Sequence, residues 1–290
     1  MTESSLVRCI ELHDAMPLAT IRDAPEGTHF AAARDPGAEV YDALAERAQR
    51  RAFALQLSHG GCALLADARI AAHLDSLSLS GADLDRLVLP PKVRALRLSG
   101  GSGSLRALLA LPLEILAIDR GAFDTAPLVE HPTLAALSLA NLPVEAASVG
   151  PRLRAIRTIG VPLRTLDVLR SGLALERVEC ARCDTLESIE ALAALPALRE
   201  LGLEGCWRLD LHATIASLQR LPLRGLRIDI GGRRKNVEVD KRLKIARLTP
   251  FPTPESPLSL QEDGVHWNGT PSLEELPKSL GIDTREHNTK

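Results

Sequence analysis

An eight-residue pattern with apolar side chains at its first, fourth and sixth places recurs along the middle of this 290-residue chain. The copies read LDSLSLSG from Leu74, VRALRLSG from Val93, LEILAIDR from Leu113, LAALSLAN from Leu134, LRAIRTIG from Leu153, LERVECAR from Leu175, LRELGLEG from Leu198 and LRGLRIDI from Leu223. Their starts lie 19 to 25 residues apart, a mean of about 21. AFALQLSHGG, carrying Leu55 and Leu57, supplies a ninth copy upstream. Residues two apart on extended chain share a face, so places four and six point one way and places three, five and seven the other. A unit this short cannot bury its own leucines, and stacking on its neighbours is its only route to a core. The pattern therefore predicts one strand per copy, aligned into a parallel sheet. Pro90, Pro112, Pro132, Pro151, Pro196 and Pro222 each fall one to three residues before the next copy, where a helix-breaking residue suits the returning chain.

The pattern resembles the leucine-rich-repeat motif LxxLxLxxN/CxL over about residues 52–245, two thirds of the chain. The resemblance implies an α/β solenoid, a horseshoe with a parallel sheet on its concave face, built here from about nine short repeats of 19–25 residues. At the ninth place the family residue stands as Cys183 and Cys206, but Ala82, Gly101, Gly121, Leu142 and Val161 occupy it elsewhere, so a backbone or water-mediated turn is expected there. Thr158 at a sixth place predicts a local irregularity. Three-residue spacing of Leu186, Ile189, Leu192 and Leu195, and of Ile215, Leu218 and Leu221, predicts helical turns on the convex side,. The shorter early repeats have room only for extended or 3-10 connections.

Solenoid ends need covers for their exposed leucines. Residues 1–51 are expected to form an N-terminal cap with a short strand at LVRCIEL and a helix opening at Asp35-Pro36 and burying Val40, Leu44 and Ala48,. Residues 246–290 read as a proline-rich tail, TPFPTPESP favouring extended chain, with SLEELPKSLG as a possible capping helix and an unordered end, DTREHNTK,.

With 35 basic and 37 acidic residues, the net charge of -2 removes any global argument for a nucleic-acid or anionic-membrane partner,. No apolar run reaches the roughly 18 residues that span a bilayer, and the first residues lack the basic and apolar segments of a secretory signal, which predicts a cytoplasmic protein,. Five scattered cysteines do not read as a disulfide framework,.

Chemistry-bearing motifs are sparse. Cys180 and Cys183 form a CxxC, open to a metal or redox reading, yet the repeat places them at a sixth and a ninth place, which favours a structural role,. The eight histidines have no ligand spacing, and GGSGS at 100–104 reads as the turn after a strand,. Asn268-Gly-Thr270 matches a glycosylation acceptor, which means little without a secretory signal,. No serine carries the flanking glycines of a nucleophile elbow,. No enzyme, cofactor or metal is predicted.

The outward columns carry more. Place five holds Gln56, Ser78, Arg97, Ala117, Ser138, Arg157, Glu179, Gly202 and Arg227, and place three Ala54, Ser76, Ala95, Ile115, Ala136, Ala155, Arg177, Glu200 and Gly225. Small side chains allow close approach of a partner. The candidate protein-binding residues are Arg94, Arg97, Ile115, Asp119, Arg154, Arg157, Ile159, Glu179, Glu204 and Arg227. The arginines can grip carboxylates of an acidic partner, or be solvated surface with Glu114 and Asp119 as internal partners. Ile115 and Ile159, facing out among small and polar groups, favour an interface. Trp207, after Cys206, is a candidate anchor, and Trp267 is expected to pack on the last repeat,. The resemblance implies a non-enzymatic recognition module for an unidentified protein partner; the Ala/Leu/Arg-rich composition, with few Lys, is that of a GC-rich bacterial genome, and a free-standing binder of this size fits an immunity or antitoxin-type protein or a regulatory adaptor. The alternative is an effector acting on host proteins by binding alone.

Overall fold

The computed structural model describes residues 9–25, 28–50, 53–142, 149–231, 233–243, 246–247, 258–261 and 264–267. The elements run β1 (Cys9–Glu11), α1 (Leu18–Arg22), β2 (His29–Ala32), α2 (Ala38–Ala48), β3 (Phe53–Ser58), α3 (Ala68–Ala71), β4 (Leu74–Ser80), β5 (Ala95–Ser99), β6 (Ser102–Ser104), β7 (Ile115–Asp119), β8 (Ala122–Asp124), β9 (Ala136–Ala140), β10 (Ala155–Ile159), β11 (Arg177–Ala181), β12 (Glu200–Glu204), α4 (Leu211–Leu218), β13 (Gly225–Asp229), α5 (Arg233–Leu243) and β14 (Ala246–Arg247). Twelve strands form one open sheet in the order β1-β2-β3-β4-β5-β7-β9-β10-β11-β12-β13-β14, so each main strand lies beside the next along the chain. Every pairing in it is parallel. The fold is α/β and the sheet does not close into a barrel.

From β5 to β13 each main strand is the third to seventh place of its copy, and the pairing matches place with place. Ala95, Ile115, Ala136, Ala155, Arg177, Glu200 and Gly225 follow one another across the sheet as third-place partners. Fourth- and sixth-place side chains enter one continuous core, among them Leu96, Leu98, Leu116, Ile118, Leu137, Leu139, Leu201 and Leu203. A one-residue slip would turn all of them outward, so the burial itself fixes the register. The irregularity expected at Thr158 is absent. The residue pairs in step with Leu139 and Cys180, and its hydroxyl is satisfied inside the core, 3.5 Å from the Glu179 carbonyl and 3.7 Å from Cys183 Sγ, which removes the cost of a buried unpaired polar group. The register shift falls instead between Phe53 and Ala54 in β3.

The residue after each strand adopts a left-handed conformation in seven consecutive copies: Gly81, Gly100, Arg120, Asn141, Gly160, Arg182 and Gly205. Six of these donate their backbone N–H to the last carbonyl of the next strand, from Gly81 to Ser99 at 2.9 Å through Arg182 to Glu204 at 2.6 Å. This closes the turn through the backbone at the eighth place and explains why the ninth place tolerates such varied residues. Gly100-Gly101 turns the chain, but Ser102–Ser104 then forms β6, which pairs in parallel with β8 as a small second sheet; GGSGS is more than a turn.

The core side is covered by short elements. Leu84–Arg86, Leu105–Ala110, Ala126–Glu130, Asp167–Leu169 and Glu190–Ala194 are 3-10 turns, and α4 is a true helix, started by Asp210 accepting from the Ala213 N–H at 2.8 Å,. The early connections include α3, a single α-helical turn, besides the 3-10 pieces. In the N-terminal segment α2 buries Val40, Leu44 and Ala48, while β1 and β2 extend the same parallel sheet. The sequence pattern gave no sign of α5, a helix rich in Arg and Lys that buries Val239. An antiparallel hairpin joins β15 (Leu258–Gln261) to β16 (Gly264–Trp267). The segments TPFPTPESP, SLEELPKSLG and DTREHNTK and the Trp267 side chain lie outside the described residues.

Candidate interaction face on the sheet

The face of the sheet opposite the leucine core divides into two regions. On β5 to β10, the third-place residues Ala95, Ile115, Ala136 and Ala155 form a small apolar cluster of their own, separate from the main core because the sheet lies between them. Ile115 is only 3% exposed. The exposed isoleucine expected from the sequence is therefore corrected: alanines in register on both sides let its neighbours close over it. Beside this strip run Ser78, Arg97, Ala117, Ser138 and Arg157, all half-buried, in the fifth-place column.

On β10 to β13 the same columns carry charge. Glu179 sits nearly covered at the centre, with a side chain 4% exposed. It accepts from Arg177 Nε at 3.0 Å and from Arg177 Nη2. Arg227 Nη2 donates to both Glu179 oxygens at 3.4 Å, and Arg157 Nε lies 3.5 Å from Oε2. Arg177 also donates Nη1 to Glu200 at 3.0 Å. Glu204 lies 3.9 Å from Arg227, and Arg154 donates to Glu176 at 2.6 Å across the neighbouring strands. Burial pushes the Glu200 carboxyl above its ordinary range against the pull of Arg177, with Glu179 and Glu176 adding to the rise,. Arg177, Glu179 and Glu200 thus hold one another in place, with Arg157 and Arg227 at longer range and Arg154–Glu176 as a pair alongside, and the charges taken out of water are retained because each meets an opposite charge.

Of the ten residues singled out from sequence, Arg157, Glu179, Glu204 and Arg227 come together in this network. Arg154 lies at its edge. Arg94 stands apart, donating Nε to Glu114 at 3.0 Å. Asp119 accepts from Asn141 Nδ2 at 3.0 Å and lies 3.5 Å from Arg120. Arg97 lies between Ser78 and Ala117 in register, and Ile159 is half-buried beside Ala140 and Ala181. Sequence reasoning set Arg177 and Glu200 in the outward third-place column without choosing them as binding residues, and passed over Glu176. Their signal was present, since same-place residues on adjacent strands sit about 4.8 Å apart and Arg177 against Glu200 is such a pair.

Elsewhere, Cys180, Cys183 and Cys206 are buried in the leucine core. Hydrogen bonding toward Cys183, then burial, holds the Cys180 and Cys206 thiols well above the usual value. Among the described residues no group of three or more His, Cys, Asp or Glu is arranged to hold a metal ion. No helix among them is long and apolar enough to cross a membrane. A hollow of about 300 Å³ between the Glu190–Ala194 turn and the end of α4, edged by Arg170, Glu190 and Arg220, contains none of the candidate residues. Trp207 is 64% exposed, with its ring edge against Gly231. No family model and no curated protein matches the chain.

Proposed function

We propose that the chain is a leucine-rich-repeat solenoid acting as a non-enzymatic, cytoplasmic binding module, and that the outward, concave face of its sheet receives one protein partner. The regular third-to-seventh-place strands, each beside the next in sequence, support the solenoid reading. What carries the binding reading is the outward face itself. A floor of Ala95, Ile115, Ala136 and Ala155 admits a partner's backbone closely, and it runs into a charged region whose base, Arg177 with Glu179 and Glu200, is already fixed by close pairing. Preorganised side chains lose less entropy when a partner arrives. Paired charges buried in a surface specify a partner more than they add affinity.

The test is capture from native lysate by the full chain, compared with Ala117→Arg and Ser138→Arg variants that unfold at the same temperature. Both residues are half-buried on the outward face, so a long side chain there blocks close approach. A partner lost by both variants and kept by Arg106→Glu, on the opposite side, supports the reading, and its identity separates an immunity protein from an adaptor. A partner kept by all three overturns it.

A further inference from the structure

We infer that the segment of the partner received at β10 to β13 is acidic, and that Arg227 and Arg157 are the receptors for its carboxylates; this rests on the outward face being the binding surface. The argument is one of depth. Along the fifth-place column the order is Arg157, Glu179, Gly202, Arg227. The carboxylate lies at the bottom, with a side chain 4% exposed, while Arg157 and Arg227 remain 27% and 41% exposed. Arg227 crosses Gly202, whose missing side chain leaves it a path to Glu179 two strands away. Along this column the charge an arriving segment meets is therefore guanidinium.

Arg227 is also held weakly. Its contacts are 3.4 Å to Glu179 and 3.9 Å to Glu204, longer than the 2.7–2.9 Å of a charge-assisted hydrogen bond, because Arg177 already occupies Glu179 more closely. An incoming carboxylate offers Arg227 the bidentate geometry that Glu179 does not supply. The flanking glutamates argue against a phosphate polymer. Glu204 and Glu176 are the more exposed acids of the network, 54% and 39%. A phosphate backbone, charged at every linkage and unable to turn those charges aside, would run against both, whereas a peptide can seat one carboxylate between them and turn its other side chains to solvent.

The experiment titrates the full chain into a fluorescein-labelled poly-glutamate peptide at low ionic strength, reading anisotropy, with poly-lysine and a single-stranded oligonucleotide as comparison probes. The expected result is saturable, salt-sensitive binding of poly-glutamate. Arg227→Gln is expected to weaken it about tenfold, as loss of one charge-assisted bond does, and Arg157→Gln to weaken it further. Glu204→Gln, which removes an internal competitor without removing a donor, is expected to strengthen it, so the proposal is tested by a variant that gains as well as by ones that lose. Arg106→Gln is expected to leave it unchanged. Binding that is indifferent to these substitutions, or an oligonucleotide bound more tightly than poly-glutamate with the same dependence, overturns the proposal. If peptide binding fails while Ala117→Arg and Ser138→Arg still abolish lysate capture, the acidic chemistry is wrong and the concave surface stands.

Discussion

The β5–β9 stretch and the β10–β13 stretch share strand length, register and core, and on the sheet itself they differ most in the columns that face away from the leucines. In the first, Ala95, Ala117, Ala136 and Ser138 are small, so the sheet buries Ile115 on its outer side at no cost in charge. In the second, Arg157, Arg177, Glu179, Glu200 and Arg227 stand in the corresponding places, and the same register that aligns leucines inside forces charges into contact outside. One backbone thus supports two kinds of surface, and parallel in-step pairing decides that charges on adjacent strands must answer each other.

The sharpest way to break this comparison is Arg177→Met. It leaves Glu179 buried and Glu200 half-buried without their closest partner, and removal of one member of a buried ion pair costs roughly 3–5 kcal/mol; equilibrium urea unfolding that finds less than about 1 kcal/mol would mean that the network is not a stability element. The apolar region predicts a smaller contrast between its two faces. Leu116→Ala, on the core side, is expected to cost about 3 kcal/mol, and Ile115→Ala, one residue away on the outer side among alanines, about half of that, because the shallow outer cluster can collapse around the loss. Equal costs would erase the distinction between the two clusters. The turns common to both stretches give effects near 1 kcal/mol. Gly100→Ala has open space for its new methyl but a φ of +68°, so it is expected to lose about 1 kcal/mol from backbone strain alone. At the equivalent place Arg120→Gly, relieving a φ of +60°, is expected to cost nothing or to stabilise slightly in thermal melts.

pH gives the smallest effect and opposite signs in the two regions. His131, before β9, is buried; its Nε2 donates to the Leu108 carbonyl at 3.1 Å and its Nδ1 accepts from the Leu134 N–H at 3.2 Å, and burial lowers its pKa from about 6.5. The unfolded chain therefore takes up the proton first, and stability falls as pH drops below that value. Glu200, with a raised pKa, does the reverse: its unfavourable contribution is present at neutral pH and is relieved as pH falls through the raised value toward 4.5,. His131→Asn is expected to flatten the acid-side decline, and Glu200→Gln to remove the opposing component, both read from urea midpoints across pH.

The strands were legible because their signal is periodic: places four and six had to share a face, and they do in every copy from β5 to β13. What escaped the sequence was set by distance between strands or by small neighbours. Arg177 with Glu200 follows from the column alignment. Arg227 reaching Glu179 does not, because it spans two strands and depends on Gly202 between them. Ile115 looked exposed by alternation alone, since alternation gives the face but not how deeply that face is shielded. Thr158 looked like a defect until its hydroxyl found partners in the strand and the turn of the following copy. Helix α5 was hidden by its composition, RRKNVEVDKRL, in which Val239 and Leu243, four residues apart, pack on the core but the other side chains are mostly charged, so one apolar pair is all the periodicity there is to see.

The left-handed seam after the strands makes the chain editable in whole units. Excising Gly100–Asp119 would join Ser99 to Arg120, a residue already left-handed in its own copy, with its N–H still aimed at the Ala140 carbonyl. The cut ends meet in the same conformation and face the same acceptor, so the sheet can shorten by one rung, or lengthen by a duplicated one, without a new kind of junction. The length of such a sheet is then a variable that recombination can change while the turn chemistry stays fixed.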